Sequence, residues 1–160
     1  PLFLSNQNNV CIKQAFYRQE GGTTAHVHQG VSQGKYLMVE MNCLGWGNSL
    51  LCMVYDFIGE KPTISVPYLR FVGAGLAIAQ NPDRDTFLVE ELIDKTPFVK
   101  YINNDSAKPC DFLDTERSCI ARFLAFSQHV QWMKTKGLVY VSDYQGSGVL
   151  LTDPQIITRP

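Results

Sequence analysis

The segment from Leu138 to Ile156, LVYVSDYQGSGVLLTDPQI, constrains the fold of this chain more than any other. It begins with the strongest strand pattern in the sequence, because β-branched and aromatic side chains favour an extended backbone. Gly146 and Gly148 then allow the backbone to turn back. The segment therefore predicts a strand, a turn and a returning chain that brings Asp153 to the same place as Asp143.

Asp143, Gln145 and Asp153 are the strongest candidates for chemistry in this segment. A strand that delivers an aspartate and, two residues later, an amide places both side chains on the same side of the chain. Two carboxylates and an amide carbonyl are hard oxygen ligands, which Mg²⁺ accepts when it also binds phosphate oxygens and water. The alternative is a hairpin whose aspartates only make hydrogen bonds within turns.

The rest of the chain predicts a mixed α+β class in one unit. Strands are expected at 10–13, 64–72, 86–93 and 138–141, with a polar loop extending to Gly34. Helices are expected from Tyr36 onward, over 75–80 and over 115–136, the last capped by Asp114 and buried on most of its circumference. The three-to-four-residue spacing in the first helix predicts a single apolar face made of Tyr36, Val39, Cys43, Trp46, Leu50 and Met53.

Composition narrows the class of protein. The 160 residues carry a net charge of −1, so there is no overall basic field for nucleic acid or acidic membranes. No apolar run approaches the length of a membrane span, and the first residues do not show the charged start and apolar run expected of a signal peptide. The five cysteines lack a Cys-x-x-Cys pair and indicate reduced thiols. These features predict an intracellular protein of the cytoplasm, without a nucleic-acid or membrane partner.

Lys13 and Glu40 form a second candidate pair. Lys13 closes a predicted strand and Glu40 lies on the helix that follows, which is how protein kinases aim an ammonium group at nucleotide phosphates. Most lysines on strands are nevertheless solvated. Walker A, His-Arg-Asp and Asp-Phe-Gly motifs are absent from the sequence, so a phosphoryl-transfer enzyme of this kind would be atypical.

Two weaker patterns suggest other classes of protein. Gly73–Ile78 imitates half of a dinucleotide fingerprint, but its sixth residue is not Gly or Ala, and Pro82 follows too soon for a helix. His26 and His28 would point to one side of an extended chain, yet a metal site would need a third ligand. A solvated loop is favoured there, and a NAD-dependent or small metal-binding protein is the least favoured alternative.

The string AFSQHVQWMKTKGLVYVSDYQGSGVLLTDPQI resembles the signature of the alpha-kinase family of atypical serine/threonine protein kinases. That signature contains Ala-Phe-Ser-His, a helix, a strand, Asp-x-Gln-Gly-x-Gly and Thr-Asp-Pro. Upstream, VCIKQAF is similar to the family's nucleotide-lysine strand, LVEELID to its hinge and FVKYINND to its Lys-Tyr-Asn-rich segment. The sequence of these motifs is most similar to that of fungal members, and the resemblance covers almost the whole chain.

The resemblance implies an ATP site. Lys13 would bind the ATP phosphates and Glu40 would orient Lys13. Glu90, Glu91 and Leu92 would meet the adenine. The implied fold is the atypical two-lobed kinase fold, with an N-lobe at about 1–88 and a C-lobe at about 94–160 of one partial domain.

The resemblance also implies the chemistry. Asp143 would be the catalytic aspartate that receives or orients the substrate hydroxyl proton, and Gln145 and Asp153 would hold Mg²⁺. The reaction would transfer the γ-phosphate of ATP to a Ser or Thr of a protein substrate, mainly by positioning and charge neutralisation.

His129 has a different meaning under the resemblance. On its apolar helix alone it would be a core histidine, but the family has the first ligand of a structural zinc there. The other family ligands follow the Thr-Asp-Pro motif and are not found before Pro160, so this zinc site is expected to be incomplete. Gln128, inserted before His129, is a further departure from the family signature.

We therefore expect a kinase domain truncated at both ends. The alternative is a kinase-like interaction module, a pseudokinase, without turnover.

Overall fold

The computed structural model describes residues 9–59, 65–93 and 97–159. Two helices are described, α1 (Gly30–Gly59) and α2 (Thr115–Lys134). The strands are β1 (Val10–Lys13), β2 (Phe16–Arg18), β3 (Ala25–Val27), β4 (Arg70–Phe71), β5 (Ala74–Ile78), β6 (Thr86–Glu91), β7 (Val99–Lys100), β8 (Val139–Ser142), β9 (Gln145–Ser147), β10 (Leu150–Thr152) and β11 (Gln155–Thr158). The predicted α+β class is confirmed.

The chain divides into two compact units. Unit 1 contains the chain up to Asn42 together with Val72–Leu92, and unit 2 contains Cys43–Phe71 and the chain from Ile93 onward. Helix α1 contributes residues to both units. The lobe boundaries expected from the family resemblance stay a prediction.

Unit 1 contains a three-stranded antiparallel sheet in the order β1-β6-β5, and a separate hairpin of β2 and β3. Along β6 the residues alternate strictly, with Thr86, Leu88 and Glu90 buried. Leu88 packs with Ala15 and with Leu37 of α1. Because successive strand residues point to opposite faces, Glu90 lies on the same face of the sheet as this small core.

Helix α1 is present, but its predicted apolar face is only partly buried, with Leu50 buried and Cys43 and Met53 half-buried. Tyr36, Val39 and Trp46 are more than half exposed. The buried stripe repeats every seven residues instead, at Leu37, Leu44, Leu51 and Ile58. Leucine and isoleucine therefore form most of the buried side of α1, whereas the two aromatic residues of the predicted face are exposed.

Unit 2 contains a four-stranded sheet in the order β4-β10-β9-β7 and a two-stranded sheet of β8 and β11. Its core includes Phe71, whose ring stacks on that of Tyr144 with centroids 6.1 Å apart. A Cβ atom on Gly47 would lie 2.9 Å from the Phe71 ring, so only glycine lets α1 pass this close. That contact explains a glycine which would otherwise weaken the helix.

Helix α2 begins as predicted, since the Asp114 side chain accepts a hydrogen bond from the Arg117 backbone N–H at 2.8 Å. It ends at Lys134, two residues earlier than expected. The expectation of a helix buried on most of its circumference is wrong, because Phe126, Trp132 and Met133 are 40–49% exposed.

Three local predictions are also wrong. The segment 75–80 is not a helix but strand β5, whose backbone pairs with β6 over its whole length. Regular strand structure in the described part of 64–72 is limited to β4, because 65–69 is irregular; position 64 lies outside the described residues. The polar loop to Gly34 contains the β2–β3 hairpin and the first turn of α1.

Candidate functional site

The centre of the site is a break in one long β-hairpin. β8 pairs with β11 through Ser142 and Gln155, and β9 pairs with β10 through Gln145 and Thr152. The register is the same in both ladders, so two residues on each strand lie between them without ladder pairing. These breaks are Asp143-Tyr144 on one strand and Asp153-Pro154 on the other. The predicted return of Asp153 to the neighbourhood of Asp143 is thus supported by the strand register.

Both aspartates have a left-handed backbone, with φ of 56° at Asp143 and 49° at Asp153. For an L-residue this conformation costs about 1–2 kcal/mol, and aspartate is among the side chains that tolerate it best. The carboxylates are therefore placed by an unusual backbone turn at the same level of the hairpin. Asp143 is buried and Asp153 is exposed.

Lys100 is a functional candidate that the sequence reasoning did not single out. Its Nζ lies 2.6 Å from Asp143 Oδ1. β7 places it there, since Lys100 pairs with Gln145 in the β7–β9 ladder, two residues beyond Asp143. The ammonium group compensates the cost of burying the Asp143 carboxylate, which is 8% exposed. The only available signal was its place in the string FVKYINND.

Lys13 makes the corresponding ion pair in unit 1. Its Nζ lies 2.8 Å from Glu90 Oε2, and the Glu90 side chain is 3% exposed. Cys11 faces Glu90 and Lys13 faces Leu88 in the β1–β6 ladder, so Lys13 and Glu90 are diagonal neighbours on one face. The structure thus brings the predicted phosphate lysine together with a carboxylate that was expected at the adenine.

Three other residues are expected around the nucleotide. Glu91 ends β6, and its Oε2 accepts a hydrogen bond from the Gly73 backbone N–H at 3.3 Å. Leu92 follows β6 and is 45% exposed. Glu40 lies on the exposed surface of α1.

Tyr144, between Asp143 and Gln145, is completely buried. Burial raises the pKa of its hydroxyl well above the ordinary value, although a hydrogen bond from Gln131 opposes this. Gln131 Nε2 donates to the Tyr144 hydroxyl at 3.1 Å. The Tyr144 carbonyl accepts hydrogen bonds from the backbone N–H groups of Tyr101 and Ile102 at 2.8 and 3.2 Å. The break in the hairpin is therefore held from several directions.

The donor chemistry of Asp143, Gln145 and Asp153 fits Mg²⁺, which prefers carboxylate and carbonyl oxygens. His129 is the one family zinc position that the sequence analysis identified, in a site expected to be incomplete. His129 is exposed beside a cavity of about 420 Å³ that is also lined by Trp132 and Tyr140. Within 9–59, 65–93 and 97–159, no group of three His, Cys, Asp or Glu side chains is arranged to hold a metal ion.

The two weaker patterns also have structural explanations. Gly73 leads into an antiparallel strand rather than a strand–helix turn, which removes the basis of the dinucleotide interpretation. His26 lies in β3, and the ring of His28 stacks on Tyr36 at 4.2 Å while its Nδ1 lies 3.2 Å from the Ser32 hydroxyl oxygen. The solvated loop expected there is instead part of an aromatic cluster.

Neither α1 nor α2 has the combination of length and apolar character required to cross a bilayer, and the described residues contain no other helix.

Comparison with known proteins assigns the family. A profile of the alpha-kinase family matches residues 5–160. The apoenzyme alpha-kinase domain of myosin-II heavy chain kinase A is similar in fold, with a TM-score of 0.50 and 20% identity, over 88% of this chain and 56% of that one. The inactive alpha-kinase domain of myosin heavy chain kinase A in complex with ATP gives a TM-score of 0.50 and 20% identity, over 84% and 50%. This chain thus spans about half the length of these structures. No curated protein matches it. The chain belongs to the alpha-kinase family.

Proposed function

We propose that the chain is an ATP- and Mg²⁺-dependent protein serine/threonine kinase of the alpha type. The observation that carries this proposal is the buried Asp143 carboxylate, held by Lys100 at the level of the hairpin where Gln145 and Asp153 also stand. Family membership and the ATP complex of a relative with the same fold support it. The intracellular location and the affinity to fungal members stay predictions from the sequence.

In the proposed reaction, Asp143 accepts or orients the proton of the substrate Ser or Thr hydroxyl. The hydroxyl oxygen bonds to the γ-phosphorus of ATP while the bond to the β–γ bridging oxygen breaks, and ADP leaves. Lys100 keeps the carboxylate in place. Mg²⁺ held by Gln145 and Asp153 would neutralise charge on the phosphates.

In unit 1 we propose that Lys13 contacts the ATP phosphates. Glu40 remains the proposed residue that orients Lys13, and Glu90, whose carboxylate lies 2.8 Å from the ammonium group, supports the same orientation. Glu91 and Leu92, at the end of β6, remain the proposed neighbours of the adenine.

The decisive experiment compares Asp143→Ala with Asp111→Ala. Asp111 is an exposed aspartate of the same unit, outside the proposed site. Phosphate transfer from γ-labelled ATP to a Ser/Thr peptide library should fall by at least about 10²-fold in Asp143→Ala, because general-base contributions have this size. Asp111→Ala should retain the parent rate. A parent rate that survives Asp143→Ala would contradict the assignment.

Measurements of stability and of phosphate transfer on the parent protein distinguish the kinase from the interaction-module alternative. A ligand that binds only the folded state raises its stability, by about 2.7 kcal/mol at a hundredfold excess over Kd. The kinase should be stabilised by Mg²⁺-ATP and should transfer phosphate. Stabilisation without transfer would favour the pseudokinase, and the absence of both effects would favour a module that does not use ATP.

A further inference from the structure

Two glutamines of α2 cover the edge of β8 that faces away from β11. Gln128 Nε2 donates to the Val141 carbonyl at 2.9 Å, and Gln131 Oε1 accepts from the Val141 backbone N–H at 2.9 Å. Their side chains are buried, with Gln131 completely enclosed. Since burying an amide without partners costs about 1–3 kcal/mol, both glutamines depend on this pairing. Together they satisfy the peptide groups of Val141 as a neighbouring strand would.

Gln131 also reaches across the break in the hairpin. While its Oε1 holds Val141, its Nε2 donates to the Tyr144 hydroxyl at 3.1 Å. Val141 precedes Asp143 by two residues and Tyr144 follows it directly. A single amide group therefore contacts the backbone before Asp143, at Val141, and the side chain of the residue after it, Tyr144.

Asp143 is a residue that requires such support. Its φ of 56° is a conformation that persists when surrounding contacts over-determine the backbone. The ion pair to Lys100 fixes one carboxylate oxygen, but Lys100 itself is 41% exposed on a flexible side chain. The buried contacts of Gln131 are more rigid than this pair, because a completely enclosed side chain has few alternative rotamers.

We propose that Gln131, assisted by Gln128, is a positioning residue that holds the Asp143 backbone in its left-handed conformation and so aims the carboxylate. The inference rests on the proposed kinase function for its catalytic consequence. Its structural part, the support of the break by α2, is independent of turnover.

The test compares Gln131→Met with Ser127→Ala. Methionine has a similar size but lacks both amide contacts. Ser127 is an equally buried residue of α2 whose hydroxyl donates to the Phe123 carbonyl of the same helix at 2.8 Å. Both variants lose buried hydrogen bonds, but only Gln131→Met removes the support of Asp143.

In Gln131→Met, kcat should fall by about tenfold or more, since misplacement of a catalytic group by about 1 Å can cost about 10²-fold. The KM for ATP and the stoichiometry of Mg²⁺-ATP binding should stay within about twofold. Ser127→Ala should keep kcat within about twofold. If Gln131 only stabilised the fold, the fraction of molecules that bind Mg²⁺-ATP would fall together with kcat. If Gln131 positions Asp143, the same fraction binds Mg²⁺-ATP but each bound molecule turns over more slowly.

Hydrogen exchange gives a readout that does not need activity. Amides of 139–147 should exchange at least about tenfold faster in Gln131→Met and at the parent rate in Ser127→Ala. Unchanged exchange in Gln131→Met, or an equal loss of kcat in Ser127→Ala, would overturn the proposal. If the parent transfers no phosphate but the exchange pattern is as expected, the kinase function fails and the support of Asp143 by α2 stands.

If Gln131→Met does not fold, Tyr144→Phe provides the same comparison. This variant removes the hydrogen bond between Gln131 and the Tyr144 hydroxyl and leaves both hydrogen bonds to Val141 in place. A smaller fall in kcat, about threefold, with faster exchange at 142–145 supports the proposal. Parent values for both quantities would overturn it.

Discussion

Replacing Lys13 with methionine tests whether the Lys13–Glu90 ion pair stabilises unit 1. The two charges are 2.8 Å apart, and the side chains are 25% and 3% exposed. Removing one partner of a buried pair costs about 3–5 kcal/mol, because the other charge loses its compensation. Since Lys13 is a quarter exposed, water can partly replace it, and we expect Lys13→Met to lower the free energy of unfolding by about 2–3 kcal/mol.

The double variant Lys13→Met/Glu90→Gln decides whether this cost comes from the pair. If the carboxylate is the source, neutralising it should recover at least about 1 kcal/mol relative to the sum of the single variants. Lys35→Met, an exposed lysine on α1 in the same unit, should change stability by less than about 0.5 kcal/mol.

The assay is urea unfolding followed by far-ultraviolet circular dichroism. Both tryptophans, Trp46 and Trp132, belong to unit 2, so tryptophan fluorescence would not report directly on unit 1. Strictly additive single variants would refute the ion-pair argument, because interacting residues must show a coupling energy. A Lys13→Met variant as stable as Lys35→Met would refute it as well.

Two further predictions concern the hairpin. A Cβ atom at position 146 would clash with the Leu150 carbonyl oxygen, so Gly146→Ala should destabilise unit 2 by more than about 3 kcal/mol in urea unfolding. At Gly148 a Cβ atom meets open space, so Gly148→Ala should cost only the left-handed backbone penalty of about 1–2 kcal/mol; equal losses would contradict the steric reasoning. Burial raises the pKa of Tyr144, so the folded state retains its proton where the unfolded state loses it, and stability should fall as the pH rises above about 10. Tyr144→Phe should make that alkaline slope shallower by up to about 1.4 kcal/mol per pH unit, and an unchanged slope would contradict the prediction.

The sequence predicted the elements whose local signals agree with their tertiary contacts. The strand before Asp143, the turn at Gly148 and the Asp114 cap all carry residues suited to their backbone, whereas Gly146, also expected in the turn, belongs to strand β9. The segment 75–80 failed for the opposite reason. Its alanines favour a helix, but every residue of β5 pairs with a residue of β6, and such tertiary pairing overrides a weak local preference.

The site was only partly predictable for a related reason. Asp143, Gln145 and Asp153 share one short segment, so their association follows from a single hairpin. Lys100 joins them through a two-residue strand, and its partner becomes visible only in the register with β9. Gln128 and Gln131 look like solvated helix residues in the sequence, because glutamine is mostly exposed in proteins. Their role depends on an open strand edge that no local pattern reveals.

The backbone of the hairpin gives a reason why aspartate occupies both break positions. A left-handed residue in the middle of a hairpin must tolerate positive φ, and the proposed roles of Asp143 as a proton acceptor and of Asp153 as a Mg²⁺ ligand both use a carboxylate oxygen. Glycine and asparagine meet the first requirement without a charge, and glutamate meets the second without the local hydrogen bonding of a short side chain. Aspartate meets both. The unusual backbone at Asp143 and Asp153 shows that these two residues shape the hairpin, and the proposed function gives the same residues a chemical role.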